Sequence, residues 1–247
     1  MEKNELLRRM EDLCERAERS GTVCSSGYLS PAERYQTEKW AKRRGCTVVF
    51  SGGGADCERT AAFFLPEYMS AEDFDPSEHF AAIKLTAHFG EPGHRDYMGA
   101  VLGMGVGREG VGDICVMGDT AYIFCLPSVH RHLLSIDKVG RCGVTAENIA
   151  PEDVPQAKRE VTEKSFSVMS MRLDAVTAGM FDLSRTEAAK EIRLGNVSLN
   201  YEPTEKPDAQ ISAGDIISLR GAGKGSVTGT GGTSRKGRLF VYAEILK

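Results

Sequence analysis

The sequence predicts an α+β chain of three small domains, the last of them a hairpin of two helices packed on a small, mostly antiparallel sheet. Three observations carry this. Helix-start signals and period-two apolar stretches alternate along the chain instead of separating into an all-helical or all-strand pattern. Two polar, proline-punctuated stretches, residues 70–78 and 150–156, interrupt that patterning and read as boundaries. With 247 residues, 41% hydrophobic and 27% charged, the chain can fill an ordinary core in each part. The expected domains are an N-terminal α/β domain at 1–75, a middle α+β domain at 76–155, and a C-terminal domain at 165–247.

In the first domain, Leu6, Leu7, Met10, Leu13 and Ala17 recur at helical spacing. Ser30, Pro31 and Glu33 form a second helix start: a side-chain cap, a proline in the first turn, and a glutamate that closes a capping box. That helix should stop at Gly45. Residues 46–50 read as a buried strand, 51–56 as a glycine turn, and 57–65 as another helix. In the middle domain, 80–89 alternates like a strand and 95–105 looks helical. Residues 113–117 and 121–126 are strands joined by Gly118-Asp119, a strong hairpin signal. A short helix follows from Pro127. Residues 158–169 then run extended into the last domain, where Leu173, Val176 and Met180 share one helical face. Ser184 and Glu187 open a second helix with a capping box, and Gly195 ends it. Residues 196–200 and 208–221 read as strands, the latter turning at Gly214-Asp215. Residues 221–234 are a Gly/Ser/Thr patch of low complexity.

Charge and cysteine content narrow the function classes. The net charge is −4, but from Ser165 onward there are 11 Lys and Arg against 9 Asp and Glu, which leaves 20 against 26 before it. Between Leu219 and Leu239 there are five basic residues (Arg220, Lys224, Arg235, Lys236, Arg238) and no acidic one. A local basic surface on an acidic chain suits a specific RNA contact better than general polyanion binding. On the second helix of the last domain, Lys190 and Arg193 line one edge and Glu187 and Glu191 the other, which orients it toward a polyanion. The seven cysteines are odd in number and never form C-x-x-C, a pattern of reduced thiols in the cytoplasm. No apolar run reaches the roughly 18 residues of a membrane span, and the N-terminus is too polar for a signal peptide.

No cofactor or metal is expected. Residues 105–110 spell G-x-G-x-x-G but lead from a helix to a strand, the reverse of a dinucleotide site. In "GAGKGS" at 221–226, Gly225 stands where a P-loop needs Ser or Thr. The five histidines show no ligand spacing beyond an isolated H-x-H at 130–132.

One motif raises catalysis. Arg172-Leu173-Asp174, with Thr177 and Gly179, resembles the R-L-D-x-x-T-x-G catalytic loop of pseudouridine synthases, in which the Asp is the nucleophile. In those enzymes, however, the loop lies within a large catalytic domain that follows the RNA-binding module. Here 73 residues follow Asp174, and they carry a different ordered series. Arg172-Leu173-Asp174, Ser184-Arg185, Ala188, Gly195-x-Val197, Asn200, Gly214-Asp215 and Arg220-Gly221 together resemble the S4-like RNA-binding domain. The tail from Arg220, residues 50–68 and residues 94–116 are similar to YlmH-type proteins of Gram-positive bacteria, so the resemblance spans nearly the whole chain. It implies a non-enzymatic binder of the large ribosomal subunit that acts in ribosome-associated quality control. The implied partners are rRNA, peptidyl-tRNA and other quality-control factors, with a further association with cell division. It implies RNA contacts by Arg172, Ser184, Arg185, Lys190, Arg193, Asn200, Arg220, Lys224, Arg235, Lys236 and Arg238. Whether the middle domain also binds RNA stays open, as does a protein–protein adaptor role in cell division.

Overall fold

The computed structural model describes residues 3–155, 161–234 and 237–246, and it is α+β, with six α-helices and three antiparallel sheets among those residues. The chain divides into two compact units, residues 1–157 and 158–247. None of the described helices is long and apolar enough to cross a membrane.

The first unit begins with α1 (Lys3–Ser20), which buries Leu6, Met10, Cys14 and Ala17 along one stripe. Strand β1 (Cys24–Leu29) follows, then α2 (Pro31–Arg44). The predicted capping box is present: Ser30 Oγ accepts from the Glu33 amide, and the Glu33 carboxylate accepts the Ser30 N–H at 2.8 Å. Gly45 takes φ 76° and ends the helix. Strands β2 (Val48–Ser51) and β3 (Thr60–Phe64) complete a sheet of order β1-β3-β2. Residues 57–65 therefore contain a strand, not the expected helix. All five β3 positions are buried because it is the central strand, so the sequence shows a continuous apolar run that periodicity alone cannot assign.

The second sheet has the order β5-β6-β4-β8-β7. It contains β4 (Ala81–Ala87), β5 (Val111–Met117), β6 (Thr120–Cys125), β7 (Lys138–Val139) and β8 (Cys142–Ile149). Helices α3 (His94–Gly103) and α4 (Pro127–Leu133) join its apolar core through Tyr97, Val101 and Leu133. Gly118 turns the β5–β6 hairpin at φ 63°. The expected boundary at 75/76 lies inside this unit, because the two sheets share a core of Tyr28, Phe63, Phe80 and Phe124. Polar links reinforce it. The Asp113 carboxylate accepts from the amides of Glu58 and Arg59, and Arg59 Nε donates to the Val111 carbonyl at 3.0 Å. The polar composition of 70–78 marks a surface connection, not a break between cores.

The second unit places α5 (Leu173–Met180) and α6 (Arg185–Arg193) against a six-stranded sheet. Its strands are β9 (Val161–Val168), β10 (Val197–Leu199), β11 (Glu202–Pro203), β12 (Ile216–Leu219), β13 (Gly223–Thr233) and β14 (Leu239–Leu246), in the order β11-β10-β12-β13-β14-β9. Leu173, Val176, Met180 and Ile192 meet Val227, Val241 and Ala243 in one core. The patch at 221–234 is mostly strand, and β13 pairs with β14 as an antiparallel hairpin. At the β10–β11 turn both loop residues are left-handed, Asn200 at φ 51° and Tyr201 at φ 66°. Asn tolerates that region, whereas an aromatic residue is strained there by about 1 kcal/mol. Tyr201→Gly is therefore expected to raise the unit's stability by about 1 kcal/mol, seen as a higher urea midpoint.

Candidate nucleic-acid interface

The site is built on the start of each helix in the second unit. Arg172 caps α5, and its neighbours are anchored by backbone bonds to residues 207–211: Leu173 N–H to Ala209 O, Asp174 N–H to Pro207 O, and Ile211 N–H to Met171 O. This fixes Asp174 in the first turn, where its carboxylate is 7% exposed between two guanidiniums. Arg172 donates to it at 3.3 and 3.4 Å, and Arg185, from the first turn of α6, at 3.1 and 3.3 Å. Burial alone would raise the Asp174 carboxyl, but the hydrogen bonds and charges of the two arginines outweigh it and hold the group below the ordinary carboxylate range. One carboxylate thus joins the two helix starts and leaves a net positive charge there. Both arginines keep an outer edge in water, at 36% and 54% exposure.

Further along α6, Ala188 and Ile192 are buried, while Lys190 and Arg193 are exposed and form no ion pair among the described residues. The acidic edge expected opposite them is engaged internally. Glu187 closes the cap with Ser184, whose hydrogen bonds lower its carboxyl, and Glu191 accepts from Asn196 Nδ2 at 2.7 Å. Asn196 also brings in Arg220: its carbonyl accepts the Arg220 N–H, and its own N–H donates to the Glu191 carbonyl. Lys190, Arg193 and the exposed Arg220 therefore gather around the C-terminal end of α6.

Other expected contact residues are placed differently. Ser184 Oγ accepts from the Glu187 amide, so this side chain serves the helix cap. Asn200 is a structural residue: its Nδ2 donates to Asp215 at 2.8 Å and its Oδ1 accepts the Ile216 N–H at 2.9 Å, which closes the β10–β12 corner. Lys224 is half-buried on β13 and already makes a contact within the protein. Arg238 donates to the Ser167 carbonyl at 2.6 Å at the far edge of the sheet, away from the α6 group. Arg235 and Lys236 lie outside the described residues.

The first unit holds a cationic surface that no sequence motif announced. The β7–β8 turn abuts the start of α3, where a Cβ at Gly140 would lie 3.5 Å from Asp96 Oδ1. Asp96, itself exposed, caps the helix, its carboxylate accepting the Gly93 N–H at 2.9 Å. Around this point His94, Arg95, Lys138 and Arg141 are exposed, with Asp96 and Asp137 as nearby opposing charges.

This region is also where the family comparison falls. Residues 70–153 match a family model described as a "putative RNA-binding domain in YlmH". Over 222 residues, 89% of this chain and 86% of the relative, the chain is 29% identical to the "ribosome-associated protein quality control protein P2" of Bacillus subtilis (strain 168). The chain is similar to YlmH-type proteins. A solved structure, the "cell division protein ylmH from Streptococcus pneumoniae", shares the fold with a TM-score of 0.54 at 18% identity, covering 63% of this chain and 96% of that one. The matched segment includes the whole five-stranded sheet, α3 and α4, and hence His94, Arg95, Lys138 and Arg141. Sequence reasoning missed these residues because they come from two segments some 45 positions apart and sit in the more acidic part of the chain. A signal was available in the pairing of a helix start with a Gly140-Arg141 hairpin turn.

Proposed function

We propose that this chain is a non-enzymatic RNA-binding protein of the cytoplasm that binds rRNA and peptidyl-tRNA on the large ribosomal subunit during rescue and quality control of stalled ribosomes. The observation that carries this is the cationic group Lys190, Arg193 and Arg220 at the C-terminal end of α6, without an ion pair among the described residues, together with the Arg172–Asp174–Arg185 clamp at the start of the same helix, on what we read as an S4-like domain. The clamp fixes the start of α6 and the Asn196 bonds fix its end, so these charges are held in one geometry, which suits the phosphates of a structured RNA. The basic end of the middle domain gives a second phosphate-binding surface within the segment of YlmH likeness. The same clamp supports a structural role for Asp174, because a carboxylate that accepts four hydrogen bonds from two guanidiniums is poorly disposed to attack a sugar.

The test is co-sedimentation of the full chain with large ribosomal subunits across a salt series. Lys190→Ala with Arg193→Ala is expected to weaken association about tenfold and to reduce the slope of log affinity against log salt by about 1.5, the loss of two phosphate contacts. An unchanged slope would sink the assignment. The alternative, a protein–protein adaptor in cell division, draws on the acidic first unit and on the cell-division name of the streptococcal fold relative. Partners that survive nuclease treatment would favour it. A pseudouridine synthase, the least supported reading, would require a modified nucleoside that disappears with the gene.

A further inference from the structure

The face of the second unit's sheet that points away from its helices has its own chemistry. Val241, Ala243 and Ile245 of β14 are buried, so strand alternation turns Phe240 and Tyr242 to the opposite side, and the exposed Arg238 lies just before the strand. Phe240 is 41% exposed and Tyr242 47%, two large side chains whose Cα atoms are about 7 Å apart on one strand. The floor around them is small. Across β9 their partners are Ser167 and Ser165, and across β13 Tyr242 pairs with Gly229. A Cβ at Gly231 would come within 2.8 Å of the Tyr242 hydroxyl and 3.1 Å of its ring, so the ring lies over the β13 backbone and leaves its other face open. Gly229 and Gly232 have nothing within 4 Å of where a Cβ would be and no left-handed backbone, so nothing inside the protein requires glycine there. Glycine weakens a strand, and where the fold has no need of it, it leaves room for another molecule to approach. Charge sets a direction on this face. Arg238 stands at one end, pinned to Ser167, and Glu244 and Glu163 pair at the other.

We propose that Arg238, Phe240 and Tyr242 form a platform for single-stranded RNA, with two successive unpaired bases stacked on the rings and a phosphate held by Arg238. This rests on the RNA-binding reading above and extends it to a surface distinct from the α6 cations. Stacking tolerates any base, whereas the acidic pair at the far end disfavours continuation of the backbone past Tyr242. The unit therefore holds structured RNA at its helices and an unpaired stretch on its sheet.

Anisotropy of the full chain with fluorescein-labelled dodecauridylate and with a 12-base-pair RNA hairpin tests this. Phe240→Thr with Tyr242→Thr, β-forming residues on an open face, is expected to weaken dodecauridylate binding at least tenfold and to change hairpin binding less than twofold. Phe240→Tyr with Tyr242→Phe keeps both rings and should stay within twofold of wild type on both probes. Phe240→Thr alone, which uncovers no glycine, should still weaken the single strand at least threefold and guards against misfolding of the double variant. Unchanged dodecauridylate binding in the threonine variants overturns the platform, as does an equal loss on both probes. If the wild type binds the hairpin and large-subunit RNA but not dodecauridylate, only the platform fails. If it binds none of the three, the RNA-binding reading fails with it. A protein partner retained after nuclease treatment by wild type and lost by the threonine pair, with RNA binding intact, would reassign the face to protein contact and overturn the proposal.

Discussion

Replacing Asp174 with alanine is expected to lower the folding stability of the second unit by about 3 kcal/mol, measured by urea or thermal unfolding. The carboxylate is nearly buried and accepts from both arginines, so its removal leaves two guanidiniums facing each other across the junction of α5 and α6. The low end of the range for a broken buried pair applies because both arginines can turn partly to water. The pH dependence has a definite sign. The Asp174 carboxyl is held below its ordinary value in the folded chain, so its contribution is fully present above the unfolded value of about 4 and fades as pH falls through the folded one. The stability gap between wild type and Asp174→Ala should therefore be constant near neutrality and shrink in acid. A gap that does not change down to pH 2 would show that the clamp is not what Asp174 provides.

Gly179→Ala is expected to destabilise the same unit by about 2 kcal/mol, although alanine is the better helix former by about 1 kcal/mol. Packing reverses the sign. A Cβ at Gly179 would fall 2.1 to 2.6 Å from three atoms of the Phe166 ring, which packs against the unit's core from β9. Relieving that overlap means moving an aromatic ring or lifting α5 off the sheet. Phe166→Ala in the Gly179→Ala background should recover part of the loss, a coupling that a pure propensity effect would not show.

These two residues explain why the opening letters of the motif suggested an enzyme. Arg172 and Asp174 form a clamp, Leu173 is fully buried, Thr177 is buried in the same helix, and Gly179 is a seat for Phe166. Each position has a packing or pairing reason that a linear pattern cannot distinguish from a catalytic one. Where local chemistry decides the structure, the sequence was legible: both capping boxes, the Gly45 and Gly195 helix ends, the Gly118 hairpin and the buried face of α5 all lie within a few residues of their causes. Strand β3 was not, because central burial erases alternation. Nor was the fusion of the first two domains, which depends on Phe63, Phe80 and Phe124 meeting across long sequence separations. In the candidate interface, exposure at Lys190 and Arg193 followed from helical spacing. The engagement of Asn200 and Ser184 within the fold, through hydrogen bonds to Asp215, Ile216 and Glu187, was not legible from spacing.

The pairing of β9 with β14 has a biosynthetic consequence. The first strand of the second unit is completed only by its last, so the sheet under α5 and α6 lacks an edge and part of its centre until residues 239–246 have been made. A nascent chain can form the helix pair early but cannot seat it. The surface that presents Lys190 and Arg193 is therefore seated on its sheet only once this last strand has been made.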